Sequence, residues 1–239
     1  MAEKKNSGSS GTLKPEEVLR SITIDSVIFG FQEGDLEVLL VKHGEGISKG
    51  KWGLPGGWIY KTEAIDTAAY RLLLELTGLN QIFLEQLKAF GDPERFPLER
   101  VITIGYYALV NRKDYRIKAG FTASEVKWFK IKEIPELIYD HNHIINTSHN
   151  RLKKRVRQAP LGFNLLPTKF TLLQLMKLYE EILSTTLDKS NFRRKILKMK
   201  LLVDLGEKET NVSHRAAKLY RFDDDIYQKL TVKGFNFEF

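Results

Sequence analysis

The stretch that most constrains the fold of this chain runs from Gly57 to Leu79. Glu63 follows Gly57 after five residues and Arg71 follows after seven more, then Leu72, Glu75, Leu76 and a closing Gly78-Leu79. Ala64, Ala68, Leu72, Leu73 and Leu76 recur at three- and four-residue spacing, which predicts a helix over 63–78 with Gly78 as its stop. Just upstream, Lys51-Trp-Gly-Leu-Pro-Gly-Gly57 is a compact, turn-rich strand edge. With strands interleaved between this helix and those further on, a mixed α/β domain ending near Arg155 is expected.

The rest of the N-terminal part agrees with that expectation. Apolar runs over 21–30 and 36–42 predict two strands joined by a hairpin at Gln32-Glu-Gly-Asp35. Strands are further expected over 83–91, 101–111 and 127–130, with helices over 131–137 and 140–155. Gly91-Asp-Pro-Glu-Arg-Phe-Pro-Leu-Glu-Arg100 reads as a charged loop. His141, His143 and His149 lack the spacing of a metal site and read as the start of a helix capped by Asp140. Residues 157–167, broken by Pro160, Gly162 and Pro167, form a connection.

Beyond the connection the pattern changes. Residues 168–183 predict an amphipathic helix, and Asp188 is a plausible N-cap for a second helix over 189–200. Residues 201–205 and 216–222 read as strands joined by a polar turn over 206–214. Helix, turn, helix, then strand, loop, strand is the order of a winged helix-turn-helix. Three units are therefore expected: a disordered tail at 1–15, an α/β domain at 16–156 and a winged helix domain at 157–239.

Charge follows the same division. Residues 151–239 hold 19 Lys and Arg against 10 Asp and Glu, whereas residues 1–150 hold 19 against 20. A basic module beside a neutral one points to a polyanion partner for the second. On the second of its helices, Phe192, Ile196 and Met199 fall at core spacing. Lys189, Ser190, Asn191 and Arg193 lie near the N-terminus, with Arg194, Lys195 and Lys198 toward the outer side. In a recognition helix, Asn191 suits adenine, Arg194 suits guanine and the lysines suit phosphate. Lys208, His214 and Arg215 fall on the wing.

The chain has no cysteine, which excludes a disulfide framework, thiolate catalysis and cysteine-ligated zinc. An apolar content of 42% with 11% aromatics is enough for a true core. No run is long enough to span a bilayer and no secretion signal opens the chain, so a cytoplasmic protein without membrane contact is expected.

The spacing from Gly57 to Leu79 resembles the Nudix box, in which a glutamate cluster on a helix holds divalent metal ions. Here Leu72 and Leu76 stand where that family places carboxylates, and only Glu75 of the cluster is retained. The C-terminal segments Gly162-Phe-Asn-Leu-Leu-Pro167, Leu187-Asp-Lys-Ser-Asn-Phe-Arg-Arg-Lys195 and His214-Arg-Ala-Ala-Lys-Leu-Tyr-Arg-Phe-Asp223 resemble the NrtR family of Nudix-related regulators of NAD metabolism. That resemblance implies a Nudix fold, a mixed sheet with flanking helices, followed by a C-terminal winged helix-turn-helix. It further implies a homodimer that binds operator DNA, with ADP-ribose as the effector that relieves repression of NAD synthesis or salvage.

On this resemblance the expected effector-binding residues are Gly56, Gly57, Trp58, Arg71, Asp92, Arg95 and Arg100. Adjacent glycines expose backbone N–H groups to a diphosphate, and a guanidinium binds one bidentately. No catalytic residue, metal ligand set or required cofactor is expected. Two alternatives stay open: a related regulator responding to a sugar such as L-arabinose, and an active ADP-ribose hydrolase recruiting Glu94, Glu99 or Glu125 as metal ligands.

Overall fold

β1 (Val18–Gln32) is the axis of the first sheet. It turns back at Glu33-Gly34 into β2 (Asp35–His43), with Phe29 opposite Val38 and Gln32 opposite Asp35. The hairpin is the one expected, with both strands longer than their apolar runs. Then come β3 (Trp52–Gly53), β4 (Gly56–Tyr60), α1 (Ile65–Thr77), β5 (Glu85–Phe90), β6 (Ile102–Val110), β7 (Ala123–Lys130) and α2 (His141–Arg155). β6 runs parallel to β1 from Ile22 opposite Ile102 to Gly30 opposite Val110, and the other pairings are antiparallel. The result is a seven-stranded mixed sheet in the order β3-β2-β1-β6-β5, with β4 also on β1 and β7 also on β2. The computed structural model describes residues 17–210, 215–235 and 237, so the tail expected over 1–15 and His214 lie outside the described residues.

Period-two alternation explains the layers. Ile24 and Ile28 of β1 and Leu39 of β2 face one side, where Ala68, Ala69, Leu72 and Leu73 of α1 cover them. Val27, Phe29 and Phe31, with Leu36, Val38 and Leu40, face the other side, which Ile144, Ile145 and Leu152 of α2 cover. A sheet buried on both faces needs apolar runs rather than simple alternation, as 22–29 and 36–41 are.

The C-terminal part adds β8 (Phe170–Thr171), α3 (Leu172–Leu183), α4 (Lys189–Lys198), β9 (Leu202–Lys208), β10 (Lys218–Phe222) and α5 (Asp224–Val232). The small sheet runs β8-β10-β9 beneath the α3–α4 pair. Its core residues Leu175, Leu178, Tyr179, Phe192 and Ile196 join the same buried cluster as Val27, Phe29 and Ile144. The winged helix is therefore seated on the α2 face of the large sheet.

Two expected elements change and one further helix appears. Of the helix expected over 131–137, only a 3-10 turn at Ile131–Glu133 forms, because Pro135 forces Ile134 to be extended (φ −63°, ψ 124°). The helix expected from 168 begins at Leu172. Phe170 and Thr171 pair instead with Tyr220 and Leu219, and Thr171 and Gln174 close a capping box. α5 was not foreseen, although Asp223 caps it by accepting from the Ile226 N–H. Gly78 ends α1 in the left-handed region (φ 74°), as expected.

Candidate functional site

The glycine turn and the helix after it are clasped by Arg71. Its Nε and Nη2 donate to the two oxygens of Glu63 at 2.9 and 2.6 Å, its Nη1 to Glu75 at 3.0 Å and its Nη2 also to the Trp58 carbonyl at 3.0 Å. The Tyr60 ring lies 4.1 Å from the guanidinium carbon, and Glu63 also accepts from the Tyr60 N–H at 2.7 Å. Although partly desolvated, the Glu63 carboxyl is held below the usual carboxylate range by Arg71 and that N–H. Arg71 thus serves the loop itself and does not line the cavity beside it.

The same geometry tests the helix as a metal site. Leu72 and Leu76 are buried at 5% exposure each. A Cβ on Gly57 would come within 2.8 Å of Leu72 Cδ2, so the leucine is packed directly beneath the turn. Glu63 and Glu75, the two carboxylates of the motif, both face Arg71. Magnesium needs several oxygen ligands in near-octahedral geometry. Two apolar side chains and two carboxylates already paired with a cation do not fit it.

Beside this helix lies a cavity of about 240 Å³. β1, the 43–48 loop, the β4 turn, the 91–100 loop and the start of α2 all contribute walls. Gly56, Gly57, Trp58 and Arg95 of the expected effector residues meet there. Gly56 is required sterically, since a Cβ would stand 2.3 Å from both Asp25 Oδ1 and the Ile24 carbonyl. Asp92 is exposed on a neighbouring cleft, where it caps the Glu94 N–H at 2.9 Å. Arg100 is exposed and lines neither.

Sequence reasoning missed the floor of the cavity. Arg95, buried, donates from Nε and Nη2 to both oxygens of Asp140 (3.1 and 2.8 Å) and from Nη2 to Asp25 at 3.2 Å. Asp140 sits at the N-cap position of α2 but makes no capping bond, because Arg95 takes its side chain. His141 Nδ1 accepts from the Leu54 N–H at 2.9 Å, which leaves the proton on Nε2, 3.4 Å from Asp25. Burial pushes the Asp25 carboxyl up to about 6 against the pull of Arg95, and burial pushes His141 down to about 3.

Two further features give the cavity a polar character. His43 lines it, and its Nε2 is buried without a hydrogen-bond partner among the described residues. Burial also lowers the His43 pKa, keeping the ring neutral. Ser48 and Tyr139 share a 2.6 Å hydrogen bond, and Phe96 stacks edge-on between Trp58 and Tyr139 at 6.3 and 5.0 Å. An aromatic wall over a polar floor suits a ligand with a flat ring and several hydrogen-bonding groups.

The second candidate surface is α4. Asp188 caps it by accepting from the Asn191 N–H at 2.7 Å, as the sequence indicated. Phe192 and Ile196 are buried and Met199 is half-buried, while Lys189, Ser190, Asn191, Arg193, Arg194, Lys195 and Lys198 are exposed. Arg194 donates to Asn191 Oδ1 at 2.9 Å, which aligns the two side chains outward. Lys208 at the end of β9 and Arg215 ahead of β10 are exposed on the wing.

α2 joins the two surfaces. Its start lines the cavity, and two turns on His149 Nε2 meets the Ile182 carbonyl of α3 at 2.8 Å. Lys132 and Glu181 add a 2.6 Å ion pair across the same boundary.

Comparison with known proteins agrees with both halves. The NUDIX domain family matches residues 20–148, and the NrtR DNA-binding winged helix domain matches residues 162–222. The chain is 31% identical over 205 residues to the ADPR responsive transcriptional repressor NtrR of Acinetobacter baylyi, covering 84% of this chain and 81% of that protein. The crystal structure of Shewanella oneidensis NrtR complexed with a 27mer DNA is similar at TM-score 0.72 and 29% identity, over 90% of this chain and 97% of that one. The NUDIX domain of that protein complexed with ADP ribose is similar at TM-score 0.51 and 31% identity, over 55% and 88%. No described helix is long and apolar enough to cross a membrane. A Nudix domain followed by a winged helix, matched over most of its length to one such protein, places the chain in the NrtR family of Nudix proteins.

Proposed function

We propose that this protein is a transcriptional repressor that grips operator DNA through its winged helix and releases it when ADP-ribose fills the Nudix cavity. Residues 16–156 are the effector-binding unit and residues 157–239 the DNA-binding unit. The protein acts in the cytoplasm as a homodimer, needs no cofactor, and controls genes of NAD synthesis or salvage. Its relatives' names support the reading: one is described as ADPR responsive, and another was crystallised with DNA and, as its NUDIX domain, with ADP ribose.

The observation that carries the proposal is the state of the Nudix helix beside an intact cavity. Leu72 and Leu76 replace carboxylates, and Arg71 occupies Glu63 and Glu75, yet the cavity keeps an aromatic wall and a buried His43 Nε2 with no hydrogen-bond partner among the described residues. Such a site can bind a nucleotide diphosphate without cleaving it. Signal and consumption are thereby separated.

Binding must favour one arrangement of the winged helices over another to change DNA affinity. α2 is the element placed to transmit that preference, since its first residues touch the ligand cavity and its middle is bonded to α3. The sensor reading is tested by incubating the protein with ADP-ribose and magnesium and analysing the nucleotide. Recovery of intact ADP-ribose at the stoichiometry bound is expected. Robust release of AMP would make the protein a hydrolase instead.

A further inference from the structure

A groove of about 830 Å³ separates the β1–β2 turn from the winged helix. Its walls are the Gln32-Glu33-Gly34 turn with Asn111 and Lys113 on one side, and the start of α3, Lys189 and Arg193 of α4 and the segment leading into β10 on the other. Among the described residues, six cations line it, Lys113, Lys177, Lys189, Arg193, Arg215 and Lys218, against Glu33 and Glu209. The two parts of the chain meet closely here, since a Cβ on Gly34 would stand 3.5 Å from Lys177 Cδ.

Four of these cations lack an acidic partner among the described residues. Elsewhere Lys130 is 2.9 Å from Asp35, Lys132 2.6 Å from Glu181 and Lys169 2.7 Å from Glu207. In the groove Lys218 is held by Asp204 at 2.8 Å, but Lys113, Lys177, Lys189 and Arg193 have no ion-pair partner among the described residues. Like charges gathered without counter-charges repel one another and destabilise the folded chain. An external polyanion would offset that repulsion.

We infer that this groove seats the phosphate backbone of bound DNA, so that Lys113 of the effector-binding unit contacts the duplex together with Lys177 of α3 and Lys189 and Arg193 of α4. The inference rests on the DNA-binding reading above and extends it to a part of the chain outside the winged helix. Lys189 and Arg193 are one helical turn apart on one flank of α4, while Arg194 points to the neighbouring outward face. In helix-turn-helix proteins the first helix of the pair crosses the backbone while the second enters the major groove. The start of α3 opens on this groove, so a strand lying in it runs beside the recognition helix. Contacts from both parts of the chain make DNA affinity depend on how the winged helix is set against the Nudix domain. That dependence is what an effector acting in the cavity can exploit.

Phosphate contacts carry no sequence information, so a labelled mixed-sequence duplex is a sufficient probe. Its affinity for the full chain is measured by fluorescence anisotropy over a salt series, for the wild type and for Lys113→Ala, Lys177→Ala and the double variant. Both side chains are exposed, and ADP-ribose binding by calorimetry checks that each variant is folded. Each single variant should bind several-fold more weakly at low salt. Each log–log slope should flatten by about 0.9 and that of the double variant by about 1.8, the value for one and two lost phosphates. Wild type that binds no duplex would sink the repressor reading and this inference with it. Wild type that binds, with unchanged slopes in the variants, overturns this inference alone. Inorganic pyrophosphate provides the last arm. If its binding is abolished in the double variant while the duplex slopes are unchanged, the groove is a small-anion site and the inference fails.

Discussion

His149 of α2 donates its Nε2 proton to the main-chain carbonyl of Ile182 in α3 across 2.8 Å. It is a hydrogen bond between the Nudix part of the chain and the winged helix, made by a side chain that burial keeps neutral. Burial pushes its pKa down to about 4. The other end of the same helix presents Asp140 and His141 to the cavity floor.

Acid should therefore loosen the molecule. The unfolded chain takes up a proton on His149 near pH 6.5, whereas the folded chain resists until about 4. A depressed histidine pKa gives stability that is complete above 6.5 and lost as the pH falls toward 4. His141, pushed to about 3, acts in the same sense. Asp25, raised to about 6, acts oppositely: its protonated form is favoured by folding, and its contribution fades as the pH rises from about 4 to about 6. The two histidines outweigh it, so the Tm should fall between pH 7 and 4.5. His149→Gln retains a donor without the titration and should show a shallower fall, measured by scanning calorimetry. Parallel profiles would remove His149 from this role.

Arg71→Ala should cost about 2–4 kcal/mol in urea unfolding, because it leaves Glu63 partly buried without its cation and frees the Trp58 carbonyl. An unchanged midpoint would mean that the clasp is ornamental.

Leu72→Glu restores the residue type of the Nudix box but not its chemistry. The new carboxylate would enter a site of 5% exposure beneath Gly57, with a cost of about 3 kcal/mol. AMP release from ADP-ribose with magnesium should stay absent, since Glu63 and Glu75 remain on Arg71. A stable, active variant would show that this helix can hold a catalytic metal ion.

Arg194→Ala should weaken duplex binding and relax base discrimination by about 1–3 kcal/mol while leaving ADP-ribose affinity intact. Its side chain is exposed and is braced by Asn191. Loss of both activities would show that the cavity and α4 are not separable surfaces.

Much of this was legible in the sequence where structure is local. The β1–β2 hairpin, α1 and α4 follow from periodicity and turn residues within one segment, and Asp188 caps α4 as its position suggests. The Thr171–Gln174 capping box was readable too and marks the true start of α3. The cavity floor was not legible, because Asp25, Arg95 and Asp140 meet across 70 and 45 residues of chain. The one hint is Asp25 itself, a lone carboxylate inside an apolar strand that requires a buried cation. Arg71 misled in the opposite direction. Its place in the Nudix spacing suggested a ligand contact, whereas an i,i+4 glutamate and the Glu63 turn had already claimed it.

Control of the winged helix by the cavity can be read by titrating effectors into the preformed complex of the full chain and operator duplex. Anisotropy is recorded as ADP-ribose, NAD, ADP or L-arabinose is added, with magnesium present and the nucleotide analysed afterwards. ADP-ribose should displace the duplex at concentrations where the other three do not, and should be recovered uncleaved. Displacement by L-arabinose instead, or a complex indifferent to ADP-ribose that the same protein demonstrably binds, would contradict control by ADP-ribose.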